Sequence, residues 1–125
     1  MAKILLIESD EGTRYLYKVS IAFQKIEVAE AESLEDGIKI LGEQKFDLVL
    51  LDIMTSDFDN MSIFEELKKA KDGIPVVIVS DLRNSSAMKH ASVLGACDYL
   101  VKSENSLGDI IKRVRSIVDG QAKTK

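Results

Sequence analysis

The sequence has few of the residues that form disulfides, rigid turns and membrane spans. Its 125 residues include one cysteine, one proline and no tryptophan. The single cysteine, Cys97, cannot form an internal disulfide, so we expect a cytoplasmic chain rather than a disulfide-rich secreted one. No apolar run approaches the roughly 18 residues of a membrane span, and the N-terminus lacks the basic-then-apolar order of a secretory signal.

Charge and hydrophobicity indicate an ordinary globular domain. Charged residues make up 30% of the chain and hydrophobic residues 46%, and the net charge is -4. Binding to a nucleic acid backbone needs clustered cations, so we do not expect direct nucleic-acid binding. The length fits one domain with one core, which we place at residues 1–120, followed by a polar tail at residues 121–125.

Short apolar runs predict five strands. Three runs are continuous, at Ile4–Ile7, Leu48–Leu51 and Val76–Val79, and shorter ones surround Val28 and span Tyr99–Val101. Continuous apolarity is typical of strands that helices cover on both faces, as in a parallel sheet. Helical patterns follow each run, so we predict an α/β fold of five βα units with a doubly wound sheet.

Apolar residues at helical spacing predict the faces that these helices bury. We expect the following sets to face the core: Leu16, Val19 and Phe23; Leu34, Ile38 and Leu41; Ile63, Phe64 and Leu67; Ile110, Ile111, Val114, Ile117 and Val118. Ser33 and Ser106 each precede such a set and have an acid three residues later, a variant of the capping box. Gly95 and Gly120 stand where we expect helices to end.

Polar side chains follow the apolar runs, at the points where strands end. They are Glu8, Ser9 and Asp10 after the first strand, Asp52 after the third, Ser80 and Asp81 after the fourth, and Lys102 and Ser103 after the fifth. Ligands of open α/β sheets bind at this edge. A carboxylate can accept phosphate covalently, further acids can hold Mg²⁺, and a lysine and a hydroxyl can pair with phosphoryl oxygens. The set therefore predicts a phosphoryl-transfer site.

Four segments resemble the signature motifs of response-regulator receiver domains. They are Ile4–Asp10, Leu50–Met54, Val79–Ser80 and Tyr99–Lys102. The resemblance covers nearly the whole chain, from about Lys3 to Asp119. It implies a flavodoxin-like receiver fold with strand order 2-1-3-4-5.

The resemblance also implies roles for individual residues. Asp52 would be the phosphate acceptor, Lys102 the phosphate-pairing lysine and Ser80 the switch hydroxyl. Tyr99 would be the aromatic switch that reports the state of Ser80, although half-buried packing explains a tyrosine at this position equally well. A histidine kinase or a phosphotransfer protein would supply the phosphoryl group. The signal would pass to a separate effector or to a fused output domain.

The implied metal site differs from the family pattern. Glu8, Asp52 and the backbone carbonyl of Met54 would hold Mg²⁺. The second acid of the family's metal pair is Ser9 in this chain, so we expect weak Mg²⁺ binding, with Ser9 or Asp10 as the remaining ligand. Hard cations prefer oxygen ligands, and losing a carboxylate removes one of them.

Three further departures surround the expected site. Asp81 replaces a small residue and would repel an anionic donor. Ser103 replaces the proline that usually follows the lysine; the Lys102–Ser103 bond is therefore either cis, at about 2.5–4 kcal/mol, or trans in an altered loop. Ser56 and Asn60 replace a usual proline and glycine in the loop after the third strand.

These departures leave two principal functions open. The first is a signalling receiver that is not an enzyme beyond self-catalysed phosphoryl acceptance and dephosphorylation. The second is a pseudo-receiver, a protein-interaction module in which Ser9 and Asp81 prevent phosphorylation. A third class, an FMN carrier of the same architecture, needs a phosphate-cradling loop after the first strand, where this chain has acids.

Overall fold

The chain alternates strands with helices from one end to the other. In a computed structural model the described residues are 1–53, 61–81 and 85–123. The strands are β1 (Lys3–Ile7), β2 (Glu27–Ala31), β3 (Leu48–Ile53), β4 (Val76–Ser80) and β5 (Asp98–Val101). The helices are α1 (Glu11–Ala22), α2 (Leu34–Glu43), α3 (Met61–Lys71), α4 (Ser85–Leu94) and α5 (Leu107–Lys123). All five predicted strands are present.

The strands form one parallel sheet in the order β2-β1-β3-β4-β5. The predicted fold class and strand order are therefore confirmed. The chain moves outwards from β1 to β2 and then returns to β3 on the other side of β1. Strand order thus reverses between β1 and β3, and the carboxyl ends of these two strands flank the crevice where ligands bind in such sheets.

Each face of the sheet buries its own apolar cluster. Successive strand residues point to opposite faces, so Leu6 and Leu50 face one layer while Leu5 and Leu51 face the other. Helices α1 and α5 cover the first face, which we call the α1/α5 face. Helices α2, α3 and α4 cover the second. The predicted core sets of α2, α3 and α5 lie in these clusters.

The predicted core face of α1 is wrong. Leu16, Val19 and Phe23 are 57%, 40% and 84% exposed, whereas Tyr17 and Ile21 are 3% and 0% exposed. Both sets are spaced at about one helical turn, so periodicity alone does not distinguish them. The sheet contacts the second row, because Tyr17 and Ile21 lie in one buried apolar cluster with Leu6.

The ends of the last two helices differ in their use of glycine. Gly95 follows α4 with a φ of +80°, a left-handed conformation that ends the helix as predicted. Gly120 lies within α5, which continues to Lys123, so the predicted end at Gly120 is wrong. Glycine weakens a helix interior by about 1 kcal/mol but does not stop the helix unless it turns left-handed.

No helix in the described ranges has both the length and the apolar composition needed to cross a lipid bilayer.

Candidate functional site

Strand alternation decides which of the predicted site residues meet. Glu8 extends the β1 ladder through its backbone N–H, which donates to the carbonyl of Ala31 at 3.0 Å. Lys102 extends the β5 ladder by donating to the carbonyl of Ser80 at 2.8 Å. Glu8, Asp52 and Lys102 therefore continue the rows of the α1/α5 face. Ser80 continues the rows of the opposite face.

Asp52 is a buried carboxylate with one occupied and one free oxygen. The residue is 5% exposed, and Nζ of Lys102 lies 2.9 Å from its Oδ1. Within the described part of the chain, Oδ2 is buried and has no hydrogen-bond partner. A buried carboxylate oxygen without a partner is costly, and such exceptions mark a missing ligand or a reactive atom.

Glu8 stands beside Asp52 and is also buried, with 6% of its surface exposed. Burial, as the largest cause, and the negative charge of Asp52 raise the pKa of Glu8 to about 7 against the opposing effect of Lys102. Two carboxylates thus share one lysine. A proton or a divalent cation would relieve their repulsion.

The ligand atoms of Glu8 and Asp52 are of the kind that Mg²⁺ prefers. Glu8 and Asp52 offer carboxylate oxygens, and Oδ2 of Asp52 is unpartnered. Met54, whose carbonyl is the other expected ligand, lies outside the described residues. Across the described ranges, no group of three acidic, histidine or cysteine side chains is close enough to form a metal site. A bound Mg²⁺ would therefore depend on two side chains together with backbone and water oxygens.

Asp10 is the N-cap of α1. Its Oδ2 accepts hydrogen bonds from the backbone N–H of Thr13 at 2.8 Å and from Oγ1 of Thr13 at 2.7 Å. These bonds lower the pKa of Asp10. Its own backbone N–H donates to Oε1 of Glu8 at 3.3 Å. Asp10 therefore fixes the start of α1 and contacts Glu8 through its backbone. Ser9, between these two residues, is exposed.

Ser80 is fully buried at the end of β4 and interacts with its neighbour. Its Oγ donates a hydrogen bond to Oδ1 of Asp81 at 3.3 Å. Register places Ser80 opposite Ile53, one residue beyond Asp52. Tyr99 is half-buried and packs against the cluster on the opposite face. The switch roles of Ser80 and Tyr99 stay predictions.

The peptide bond between Lys102 and Ser103 is trans, because the described residues contain no cis peptide bond. The turn after β5 is closed by the backbone N–H of Glu104, which donates to the carbonyl of Val101 at 3.0 Å. Ser56 and Asn60, the other expected departures, lie outside the described residues.

Arg14 is a supporting residue that the sequence analysis missed. Its Nη1 donates to the backbone carbonyl of Glu8 at 2.9 Å, and its guanidinium pairs with Glu30 at 3.4 Å and Glu32 at 3.7 Å. The contact anchors the loop that carries Glu8. The missed signal is the spacing: Arg14 stands one helical turn after the N-cap Asp10, where its side chain reaches back over the loop.

Tyr17 is the second missed residue. Burial raises the pKa of its phenol, and the negative charges of Asp52 and Glu8 raise it further. Tyr17 lies in the apolar cluster of the α1/α5 face, the face to which the side chain of Asp52 points. The wrong assignment of the α1 core face hid this residue, and the four-residue spacing of Tyr17 and Ile21 was the available signal.

Comparison with known proteins agrees with this geometry. Residues 4–115 match the family model of the response regulator receiver domain. The transcriptional regulatory protein AfsQ1 of Streptomyces coelicolor is 33% identical over 102 residues, which are 82% of this chain and 45% of that protein. The chain therefore spans about half the length of this curated relative.

Solved structures show the same fold. A CheY-like receiver domain protein from Methanospirillum hungatei superposes with a TM-score of 0.84 at 23% identity, covering 100% of this chain and 99% of that one. The response regulator TrrA from Thermotoga maritima, solved in complex with Mg²⁺-BeF, has a TM-score of 0.73 at 23% identity and covers 94% of this chain and 99% of its own. The FMN-carrier interpretation has no support in these matches. With its sheet order, its acid pair and its paired lysine in place, the chain belongs to the response-regulator receiver domain family, the signalling domains of two-component systems.

Proposed function

We propose that this receiver accepts a phosphoryl group on Asp52. The observation that carries the proposal is the state of its carboxylate: buried at the carboxyl end of β3, paired with Lys102 through Oδ1, and unpartnered at Oδ2. The lysine fixes one oxygen and leaves the other available as the nucleophile. Such covalent acceptance by carboxylates is established chemistry.

The transfer forms one bond and breaks another. Oδ2 of Asp52 attacks phosphorus, an acyl phosphate forms, and the bond between phosphorus and the donor's leaving group breaks. The Lys102 ammonium offsets the negative charge that gathers on the phosphoryl oxygens. Glu8 and Asp52 would hold Mg²⁺, which when bound neutralises charge on phosphoryl oxygens. The same groups would assist hydrolysis of the acyl phosphate, so we do not propose a separate enzymatic activity.

Membership of the family supports a proposal for the donor and the recipient of the signal. We propose a histidine kinase or a histidine phosphotransfer protein as donor, because a phosphohistidine is a high-energy phosphoramidate that can drive acyl phosphate formation. The matched relative is a transcriptional regulatory protein about twice as long as the aligned segment. We therefore propose that this receiver acts on a separate effector or on a fused output domain.

The departures from the family pattern make this receiver slow. Ser9 removes one metal-binding carboxylate, and Asp10 is held as the N-cap of α1 rather than supplied to the site. Asp81 adds a negative charge next to Ser80, and its carboxylate accepts a hydrogen bond from the Ser80 hydroxyl. We expect weak Mg²⁺ binding and slow phosphorylation.

The test is intact mass after incubation with acetyl phosphate, with and without Mg²⁺. We expect one Mg²⁺-dependent phosphoryl adduct, its absence in Asp52→Asn, and its retention in Asp72→Asn. Asp72 is a suitable control because it is an exposed aspartate just before β4 begins, at the edge of the sheet opposite the site, and its positive φ is one that asparagine tolerates. Ser9→Asp should accelerate the reaction by restoring the second acid.

The result against the proposal is a folded wild type that gains no adduct at high Mg²⁺. An adduct that persists in Asp52→Asn would also contradict it. The first of these outcomes would favour the pseudo-receiver, and attention would move to binding partners.

A further inference from the structure

We propose that helix α1 carries a self-association surface, through which two copies of this chain pair about a two-fold axis. The surface consists of Leu16, Val19 and Phe23, which we call the outer row, and of the groove between this row and α5. The sequence predicts the outer row to be core, yet the structure exposes it, so packing within one copy does not account for these apolar side chains. The inference does not depend on phosphorylation of Asp52.

Exposed apolar side chains are concentrated on this side of the molecule. Tyr15, which is 63% exposed, borders the outer row on α1, and Leu107, which is 36% exposed, borders it on α5. At 3.6 residues per turn, positions 15, 16, 19 and 23 lie within about 100° of the helix circumference. Single exposed apolar residues are normal on a protein surface, whereas a contiguous patch marks an interaction site.

The groove is a pocket for a large apolar side chain. It encloses about 570 Å³, with Val19 and Phe23 on its α1 side and Leu107 and Ile111 on its α5 side. When two α1 helices pair in opposite directions about an axis near Val19, Phe23 of each copy lies at the Leu107 end of the other copy's groove. An aromatic side chain that fills a pocket is a common anchor of protein interfaces. Such a two-fold contact closes at two copies, so we expect dimers and no larger species.

The exposed area is sufficient for a weak dimer. Together with Tyr15 and Leu107, the outer row exposes on the order of 500 Å² in one copy, given roughly 200 Å² for a fully exposed aromatic side chain. Pairing two copies would therefore remove about 1,000 Å² from water, which is near the lower limit for a specific interface. For this area we expect a reversible dimer with a dissociation constant of roughly 10–500 µM.

Charge favours a second copy in the antiparallel orientation. Glu11 is an exposed acid in the first turn of α1. At the other end of α1, Nη1 of Arg115 donates to the carbonyl of Gln24 at 2.6 Å. Both charged side chains among the described residues of the groove, Lys112 and Arg115, are cations, although the chain has a net charge of -4. Antiparallel pairing brings Glu11 of each copy towards Lys112 of the other, whereas parallel pairing would bring like charges together.

The first experiment measures self-association of the full chain by sedimentation equilibrium, in EDTA and without a phosphoryl donor. Between about 5 µM and about 1 mM, the wild type should change from monomer towards dimer. Phe23→Ser should raise the dissociation constant at least about 10-fold, because it removes the aromatic anchor. Val93→Ser is the matched control: Val93 is 50% exposed on α4, outside the proposed surface, and its variant should associate as the wild type does.

The second experiment exchanges the charges that the antiparallel arrangement pairs. Glu11→Lys and Lys112→Glu should each raise the dissociation constant about 3- to 10-fold, because the two-fold axis repeats each unfavourable contact. The two substitutions combined in one chain restore opposite charges, so the dissociation constant should return to within about 2-fold of the wild-type value. A surface that associates through apolar area alone would not show this recovery. Circular dichroism confirms that each variant is folded.

Three results would overturn the inference. The first is a wild type that stays monomeric at about 1 mM, which would assign the exposed surface to a different protein. The second is a Phe23→Ser variant that associates as strongly as the wild type. The third is loss of association in Val93→Ser, which would place the interface on α4. If Phe23→Ser does not fold, the charge exchange decides, and single charge variants that associate like the wild type would contradict the antiparallel pairing.

Discussion

Three charged side chains set the electrostatics of the site. Two of them are acids and one is a lysine, so negative charge is in excess. Asp52 and Glu8 are buried acids, whereas Lys102 is the single cation paired directly with them in the described structure. Burial and the charge of Asp52 raise the pKa of Glu8 from 4.5 to about 7. The folded protein therefore binds a proton at Glu8 more tightly than the unfolded chain does. The site therefore holds excess negative charge at the carboxyl edge of the sheet, where a phosphoryl donor and a cation would bind.

This imbalance predicts a pH dependence of stability. Because the pKa of Glu8 is raised on folding, its contribution is fully present below about pH 4.5 and is lost as pH rises through about 7. The loss is on the order of 3 kcal/mol. Glu8→Gln keeps a neutral side chain at every pH, so we expect it to gain stability over wild type between pH 5 and pH 8. Urea unfolding in EDTA measures this difference.

The matched control is Glu66→Gln, which changes an exposed glutamate of α3. Its stability should follow that of the wild type across the same pH range. A Glu8→Gln profile that stays parallel to the wild-type profile would show that Glu8 is ionised in the folded protein throughout, contrary to the account.

Among the elements, the local signals at helix starts were the most informative. At α5 the predicted capping box is formed in both directions: Ser106 Oγ accepts from the Asp109 backbone N–H at 3.1 Å, and the Ser106 N–H donates to Asp109 Oδ2 at 2.9 Å. At α2, Ser33 Oγ accepts from the Asp36 backbone N–H at 3.1 Å. Such caps depend on residues close in sequence, so the sequence predicts them well.

Loss of the α5 cap should destabilise the protein. Ser106→Ala removes an acceptor for a backbone N–H of the first turn, and we expect a loss of about 0.5–2 kcal/mol. Ser116→Ala is the control because Ser116 is exposed within the same helix, where alanine is at least as good a helix former. Equal unfolding free energies for the two variants would contradict the capping role.

Packing between α2 and β1 depends on a glycine that no local signal identifies. A Cβ added to Gly37 would clash with Cδ1 of Ile7 and lie 2.9 Å from its Cγ1. We expect Gly37→Ala to destabilise by roughly 1–3 kcal/mol through overpacking. Among the described residues, no atom outside the adjoining stretch of α2 lies within 4 Å of a Cβ added to Gly42, so Gly42→Ala should be neutral or stabilising. Denaturant unfolding separates the two, and a stable Gly37→Ala would contradict this close approach.

The limits of sequence analysis show most clearly at α1 and α5. Helix periodicity predicted the wrong face of α1 because two apolar rows compete, and only the sheet decides between Leu16 and Tyr17. The sequence predicts a helix end at Gly120, yet α5 continues to Lys123 because good helix formers follow the glycine. Tertiary contact selects the face of an amphipathic helix, and Tyr17 is identified as a buried residue only once that face is known.

For the whole molecule, the topology explains why distant segments form one site. The alternation of strands and helices predicted a parallel sheet, but the strand order came from family resemblance. The reversal between β1 and β3 places Glu8 beside Asp52, 44 positions later in the printed sequence, and β5 adds Lys102 from the far side of β4. The sequence does not predict the hydrogen bond from Ser80 to Asp81, because it depends on the rotamers of both side chains.

The most direct test of the account is the chemical identity of residue 52 after phosphorylation. Borohydride reduces an acyl phosphate to an alcohol, which converts a phosphorylated aspartate to homoserine. After treatment with acetyl phosphate and Mg²⁺, then borohydride, peptide mapping should find homoserine at position 52 and aspartate at positions 10 and 81. Homoserine at another position, or an unmodified Asp52 in protein that carries a phosphoryl adduct, would contradict the central claim that Asp52 is the phosphate acceptor.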